Sequence, residues 1–317
     1  MGKMDAVILP VSDCDSNASV RVASNPFWAR APSTNGDHIR SILRRGVAAM
    51  LHMLQLVTAP ELDVSSIAIG QAKAACEMTG ESAKLSVLMS GGFSGASERL
   101  LPEFERTTGI SVTTGSGASQ GTGPQTIAAQ LARGVHADVV ILSREGLGDL
   151  IAANKIVAGT DVDLAQVPLG VAVRAGTAKP DVRTVEAFIQ LLLKADIIAM
   201  PASTSGIWLE ADLFPRLGIA GKVKTRLAPR GSDATRMVAA GEVDLAVMPV
   251  SEILAATGVA FAGAIAPEIQ FVQTFSVAVV AGSKAIESSK RLIGFLSSAL
   301  AVRAIRDSGM EPIAGAR

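Results

Sequence analysis

The sequence predicts an α/β protein of two lobes, each built on a mainly parallel sheet, with a two-strand hinge between them. Three observations lead to this prediction. From Lys84 onward, short runs rich in strand-forming residues alternate with helical segments. The alternation comes in two rounds, and a long extended segment follows each round. Alternating strands and helices are typical of parallel sheets covered on both faces, so the long segments are expected to carry the chain between the lobes.

The first round supplies the elements of the predicted first lobe. Its expected strands are 85–89, 110–114 and 137–143, and its expected helices are about 96–107, 124–133 and 145–153. Apolar runs such as LSVLM and ADVVILS end at turns rich in glycine and serine, which is the pattern of buried strands in a parallel sheet. The extended segment VPLGVAVRAG, at 167–176, then leads out of this lobe.

The second round repeats the pattern. Its expected helices are 184–194, 204–217 and 232–240, and its expected strands are 196–200, 223–229 and 243–249. The second extended segment is 270–283, and the closing helices, at about 285–297 and 299–308, are expected to return to the first lobe. We therefore expect residues 84–170 with 276–317 to form the first lobe and residues 171–275 to form the second.

Residues 1–83 do not share this pattern, and we treat them as an N-terminal extension that is largely irregular. Within it, Arg40, Arg44 and Arg45 precede the moderately apolar stretch GVAAMLHMLQLVTA. One explanation is an export signal behind an overlong translated start, which would place the protein in the periplasm. The other is a short amphipathic helix in a cytoplasmic protein. The sequence leaves both open.

The composition excludes several classes of function. Of the 317 residues, 49% are hydrophobic and 18% are charged, which indicates a globular chain without an apolar run long enough to span a membrane. The formal net charge is zero and aromatic residues are scarce, so nucleic acid is not an expected partner. The two cysteines and three histidines do not have the spacing of metal ligands, and we expect neither a metal nor a cofactor.

Hydroxyl side chains and glycines follow nearly every predicted strand. In an open α/β sheet, ligands bind outside the carboxyl ends of the strands, where helix N-termini favour negative charge. A single Ser or Thr at such a turn is more often a helix cap than a ligand contact, but the repetition predicts an anion site in a cleft that closes by hinge motion. The candidate ligand-binding residues are Ser90, Gly91, Gly92, Ser119, Gln120, Ser143, Arg144, Ser203, Thr204, Ser205, Gly206, Arg230, Val250 and Ser251.

No catalytic motif in the sequence assigns an activity to this chain. The chain lacks the G-x-S-x-G elbow of a serine hydrolase around Ser90, and the loop GSGASQGTG lacks the G-K-[ST] of a phosphate-binding loop. Glu252 lies at a strand end, and His136 and Asp138 flank the third strand, so acid–base chemistry stays open. The simpler interpretation is that Glu252 is an acidic residue in the first turn of a helix, where the helix dipole favours negative charge.

The segments LSVLMSGGFSGASERLLPEFERTTGISV, GSGASQ, LARGVHADVVILS, PASTSG and GEVDLAVMPVSEIL follow one another in a recognisable order and spacing. On these segments, the chain from about Lys84 to Pro312 resembles a type II periplasmic solute-binding protein of the molybdate-binding type. The resemblance implies Rossmann-like lobes and an oxyanion held by serine hydroxyls and main-chain N–H groups. The matching positions are Ser90, Ser119, the turn 203–206, Val250 and Ser251.

Two features depart from the molybdate-binding pattern. The first loop has S-G-G-F where A-A-S-L is typical, and the chain has no Tyr for the last loop. These features resemble more closely a branch of the family that includes aconitate isomerase. That resemblance implies a polycarboxylate ligand, to which Arg144 or Arg230 could offer bidentate contacts. Glu252 or Ser90 could serve as the base for isomerisation, and the sequence does not choose between them.

These observations predict a monomeric solute-binding protein that captures a small oxyanion or an organic carboxylate, molybdate-like or tricarboxylate. The expected partners are this small anion and the permease of an ABC-type transporter. The alternative is an enzyme of the aconitate isomerase type, which interconverts cis- and trans-aconitate by proton transfer.

Overall fold

The computed structural model describes residues 84–313, so the predicted extension and its two explanations lie outside the described residues. The strands are β1 (Lys84–Met89), β2 (Ser111–Ser116), β3 (Val139–Ser143), β4 (Val162–Arg174), β5 (Ile198–Pro201), β6 (Thr225–Ala228), β7 (Leu245–Pro249), β8 (Val259–Ala264), β9 (Val272–Val279) and β10 (Glu311–Pro312). Together they form one mixed sheet in the order β2-β1-β3-β9-β4-β7-β5-β6, and β8 and β10 also pair with β4.

Helices cover this sheet. They are α1 (Ser94–Thr108), α2 (Ile127–Ala132), α3 (Arg144–Ala152), α4 (Val185–Lys194), α5 (Thr204–Trp208), α6 (Phe214–Arg216), α7 (Gly231–Ala240), α8 (Val250–Leu254), α9 (Ile286–Leu296) and α10 (Val302–Asp307). A 3₁₀ turn, Gly91–Phe93, precedes α1. Among these helices, within residues 84–313, none has the length and apolarity needed to cross a membrane.

Parallel strands form the centre of each lobe. In the first lobe, β1 lies between β2 and β3 and is parallel to both. In the second lobe, β5 lies between β6 and β7 and is parallel to both. Strand β3 is buried at every position, as expected for an apolar strand covered on both faces. The carboxyl ends of the parallel strands therefore meet at one edge in each lobe, which is where the loops with hydroxyl side chains begin.

The long strand β4 joins the two parts of the sheet. Its first half pairs antiparallel with β9, and its second half pairs antiparallel with β7 and β8. Between β8 and β9, the Gln270 side chain accepts a hydrogen bond from the Leu169 N–H (2.7 Å) and donates to the carbonyl oxygens of Leu169 and Ile265 (each 3.1 Å). These bonds tie the second connection to β4 where the chain passes between the lobes.

Each lobe has its own core. In the first, Phe93 and Phe104 are fully buried with the apolar faces of β1 and β3, and Leu292 and Ile305 from the C-terminal helices pack into the same cluster. Burying one such side chain contributes about 1.5–3 kcal/mol. The second core contains Phe188 from α4 with residues of β5 and β7. The C-terminal helices thus lie against the first core, and the predicted α/β class with two lobes and a two-strand hinge is confirmed.

Several elements differ from the sequence prediction, among them the short strand β10, which was not predicted. Strand β4 begins at Val162, earlier than the predicted 167, because its first residues pair with β9. The predicted helix 204–217 is divided by the π-helical turn Leu209–Leu213. Strand β8 was not predicted; its residues VAFAGA are partly buried and pair with β4 through an irregularity, so they carry no clear alternation.

Candidate functional site: a polar cavity between the lobes

A small cavity lies where loops from both lobes meet. Its volume is about 20 Å³, close to the space that one buried water molecule needs. The lining residues are Ser90, Gly91, Gly117, Ala118, Pro201, Ser203, Ser205, Arg230, Gly231, Pro249, Glu252 and Gln273. A tricarboxylate is several times larger than water, so a ligand of that class enters only when the lobes separate.

Free donors face this cavity from both lobes. Ser90 directly follows β1 and Ser205 lies in the first turn of α5, and both are buried. Among the described residues, neither hydroxyl has a hydrogen-bond partner. The N-terminus of α7, at Gly231, adds main-chain N–H groups that have no partner within the helix. The arrangement therefore offers neutral donors from both sides, as an anion site requires.

Arg230 supplies positive charge at the cavity wall. It stands directly before α7, and its Nε donates to Asp233 Oδ2 (3.2 Å). Asp233 also lies 3.7 Å from Arg236 Nη2, so the two arginines share this carboxylate. The Asp233 contact holds the Arg230 side chain through Nε, and no other residue in 84–313 accepts a hydrogen bond from its terminal nitrogens. Those nitrogens are available to a ligand.

Glu252 is the carboxylic acid of the cavity wall. It lies in the first turn of α8, and its Oε2 packs against the main chain of Gly91 in the first lobe and Gly231 in the second. A Cβ at Gly91 would lie 2.6 Å from Oε2, and a Cβ at Gly231 would overlap it. Both glycines are needed because only a residue without a side chain lets the carboxyl approach so closely.

Burial raises the pKa of the Glu252 carboxyl to about 7. The cause is desolvation, which disfavours the charged form, and no other described residue forms a hydrogen bond or ion pair with it. The carboxyl therefore changes its protonation state near neutral pH. A titratable group with this property in a cleft is a candidate for proton transfer.

Gln273 is a further cavity residue that the sequence did not single out. It lies on β9, is 3% exposed, and its Oε1 is buried without a hydrogen-bond partner among the described residues. A buried amide oxygen without a partner is uncommon in folded proteins. The available signal was an amide side chain inside the strand VQTFSVAV, which also contains Thr274 and Ser276. That signal alone does not distinguish a cavity residue from a sheet residue.

The lobes touch each other through hydroxyl and amide groups beside the cavity. Ser143 Oγ lies 2.7 Å from Thr204 Oγ1, which also donates to Gln120 Oε1 (3.0 Å). The Gln120 N–H donates to Ser203 Oγ (3.2 Å). Within the first lobe, Ser119 Oγ accepts a hydrogen bond from the Ser143 N–H (2.9 Å). These contacts hold the lobes together in a closed arrangement.

The candidate ligand-binding residues from the sequence thus fall into three groups. Those that line the cavity are Ser90, Gly91, Ser203, Ser205 and Arg230. Those in or supporting the contact between the lobes are Ser119, Gln120, Ser143 and Thr204, together with Ser203. Those outside both sets are Gly92, Arg144, Gly206, Val250 and Ser251.

The residues outside the cavity have other surroundings. Arg144 pairs with Asp161 (2.8 Å) and lies 3.6 Å from Asp163, which follow it in the first lobe. Val250 packs into the first core. The neighbouring Ser251 Oγ is buried and has no hydrogen-bond partner among the described residues. Of the two arginines considered for carboxylate binding, Arg230 is therefore the one that faces the cavity.

A second and larger groove is lined by residues of both lobes. Its volume is about 620 Å³, and residues 121–126 form one wall, opposite Ala202, Ile207 and Leu227. This groove is mainly apolar, and the exposed Glu210 is its acidic residue. The polar groups from both lobes converge on the smaller cavity instead, so the smaller cavity is the candidate site.

Comparisons with known proteins agree with this fold. The family model described as bacterial extracellular solute-binding protein matches residues 85–311. The aconitate isomerase of a Pseudomonas species is 36% identical over 231 residues, covering 72% of this chain and 88% of that protein.

Two solved structures share the fold at lower identity. The periplasmic molybdate-binding protein of Azotobacter vinelandii is 17% identical with a TM-score of 0.53, covering 71% of this chain and 98% of that one. The sulfate-binding protein SubI of Mycobacterium tuberculosis is 20% identical with a TM-score of 0.57, covering 73% and 87%. The resemblance stated from the loop segments is confirmed, and the chain belongs to the family of bacterial extracellular solute-binding proteins.

Proposed function

We propose that this protein captures a small organic carboxylate in the cavity between its lobes and delivers it to an ABC-type transporter. Membership of the solute-binding family supports the capture of a small molecule. The observation that carries the choice of a carboxylate is Arg230 at the cavity wall. A guanidinium presents paired N–H donors that match a carboxylate, whereas neutral donors are sufficient for a tetrahedral oxyanion.

The remaining contacts to the ligand are expected from the cavity groups whose hydrogen-bond donors have no partner among the described residues. Ser90 and Ser205, one from each lobe, line the cavity, and we expect them to bind further oxygens of the ligand. The N-terminus of α7 adds main-chain N–H groups and a favourable dipole beside Arg230. A ligand with carboxylates at both ends would contact both lobes at once and stabilise an arrangement in which the lobes close around it.

The cellular setting is part of the same proposal. We propose that the protein works as a monomer in the periplasm, and the family description as extracellular supports export. Cell fractionation and sequencing of the mature N-terminus test this. A shortened chain in the periplasm, cleaved within residues 1–83, is expected; a full-length cytoplasmic chain would contradict export.

Thermal unfolding with a panel of anions tests the ligand class. Tricarballylate, citrate and cis-aconitate are expected to raise the melting temperature by several degrees, because a ligand that binds only the folded state stabilises it by mass action. Molybdate, tungstate and sulfate are expected to raise it less. A strong shift with molybdate and none with the carboxylates would overturn the proposal.

A second candidate function is isomerisation of an unsaturated carboxylic acid, as in the relative named aconitate isomerase. The specific observation in its favour is Glu252, which lies at the cavity, has no partner among the described residues and has a pKa of about 7. The reaction needs a base that removes a proton from one carbon of the allylic system and returns it to another. A carboxyl that titrates near neutral pH can do both.

Incubation of the full-length protein with cis-aconitate separates the two candidates. If it is an isomerase, trans-aconitate accumulates until equilibrium, and Glu252→Gln stops the reaction while tricarballylate still binds. If it is a binding protein alone, no interconversion occurs from about pH 6 to about pH 8, the range over which such a carboxyl titrates.

A further inference from the structure

Glu252 gives the cavity an acidic group that can bind or release a proton. What we infer from it rests on the proposed function. Among the lining residues, Arg230 and Glu252 are the two that ionise. Arg230 is always protonated in proteins. An ionised Glu252 only accepts hydrogen bonds, so it faces the ligand as a second anion in the same cavity.

The geometry leaves this carboxyl beside the ligand. Its Oε2 is packed between the main chains of Gly91 and Gly231, which belong to different lobes. The cavity has room for little more than a water molecule when the lobes are closed. A carboxylate ligand therefore needs the lobes to lie further apart than they do here. An anion held between the lobes by Ser90, Ser205 and Arg230 lies next to the Glu252 carboxyl, because all four residues line the same cavity.

Two carboxylates in one site cannot both stay ionised at low cost. Like charges in contact disfavour the charged form, and the pair holds one proton between them. We propose that Glu252 and the bound anion share one proton, so that the cleft takes up one proton from solution with each anion it captures above neutral pH. The proton forms an O–H···O hydrogen bond between the Glu252 carboxyl and an oxygen of the ligand, and no covalent bond of the ligand changes.

The surrounding groups support the assignment of the shared proton to Glu252. The turn Gly91–Phe93 and the strands β7 and β8, which pack around α8, carry no titratable side chain among their described residues. From α7 and the loop before it, Arg230 lines the cavity and pairs with Asp233, which also pairs with Arg236. The charged residues of β4 and α1 are outside the lining of the cavity. The raised pKa of the free carboxyl agrees with easy protonation.

Calorimetric titration in buffers of different ionisation enthalpy measures this proton directly. At about pH 8.5, above the pKa of Glu252, tricarballylate is fully ionised, so any proton in its complex comes from the buffer. We expect uptake of about one proton per ligand by the wild-type protein and about none by Glu252→Gln, which keeps the shape but cannot ionise. We also expect the wild-type affinity to fall about tenfold for each further pH unit, and the variant's affinity to stay level.

Glu210→Gln is the matched control. It removes the same charge, but from the exposed groove outside the cavity, so its proton uptake should equal that of the wild type. Tricarballylate binding without proton uptake, or equal uptake by wild type and Glu252→Gln, overturns the inference and leaves the proposed function intact. If tricarballylate gives no heat, the proposed function fails instead. The same titration with sulfate, an anion with no proton at this pH, then tests the shared proton independently, and sulfate that binds without proton uptake, or fails to bind, overturns the inference.

Discussion

The hydroxyl groups of Ser143 and Thr204 lie 2.7 Å apart and join the first lobe to the second. Both residues are buried, and Ser143 also caps α3 by accepting a hydrogen bond from the Gly146 N–H. A side chain that normally serves only its own helix therefore also contacts the other lobe. This relationship links closure of the cleft to individual hydrogen bonds that substitution can remove.

Thr204→Val tests the contact between the lobes. Valine keeps the shape of the side chain but loses the hydrogen bonds to Ser143 and Gln120, each worth about 0.5–1.5 kcal/mol. We expect about tenfold weaker ligand binding by calorimetry and a larger radius of gyration by X-ray scattering without ligand. Thr225→Val is the control, because the Thr225 hydroxyl donates to Glu210 within the second lobe and not across the lobe contact. Unchanged affinity and scattering for Thr204→Val would contradict a role in closure.

Arg230→Lys tests the assignment of the carboxylate contact. Lysine keeps the positive charge but not the paired donors of the guanidinium, so tricarballylate affinity is expected to fall by about 10-fold to 100-fold. Arg226→Lys is the matched control, since Arg226 pairs at 3.6 Å with Glu242 outside the cavity. Calorimetric titration measures both variants. Equal affinities for the two variants would remove Arg230 from the site.

Ser119→Ala tests a buried hydrogen bond behind the cavity. Without the hydroxyl, the buried N–H of Ser143 loses its acceptor, and the free energy of unfolding is expected to fall by about 1–3 kcal/mol. Chemical denaturation measures this change. Ser297→Ala, which removes a side-chain bond to a helix carbonyl, should cost less than about 0.5 kcal/mol. Equal losses would indicate that Ser119 does not support the loop.

Glu252 also predicts how stability varies with pH. Its pKa is about 7 in the folded protein and 4.5 in its ordinary state. Because the folded state binds this proton more tightly, the Glu252 contribution to the free energy of unfolding falls as pH rises between these values. We expect a loss of roughly 2 kcal/mol between about pH 5 and about pH 8, relative to Glu252→Gln. If the free energy of unfolding changes equally with pH in the two proteins over this range, the raised pKa is contradicted.

Most of the fold could be predicted because its signals are local. Apolar runs such as the one at 139–143 are continuous, and glycine and serine turns separate them from helices. Strand β8 carries no such signal, since its pairing depends on β4, more than eighty residues earlier in the chain. The helical spacing of apolar residues likewise does not reveal the π-helical turn Leu209–Leu213.

The candidate site was predictable only in part, for a related reason. Strand ends identify Ser90 and Ser205 because the carboxyl ends of parallel strands share an edge. Whether Arg144 or Arg230 faces the cavity depends on distant partners, and Arg144 is held by Asp161. The meeting of Glu252 with Gly91 and Gly231 depends on how the lobes close, which no local pattern encodes.

Calorimetric titration of the full-length protein with tricarballylate, followed by molybdate, tests the proposed ligand class most directly. Capture of an organic carboxylate by Arg230 and the cavity hydroxyls requires that tricarballylate saturates one site per chain. Molybdate added afterwards should then release no further heat. Saturation by molybdate, with no heat from tricarballylate, would contradict the proposed function.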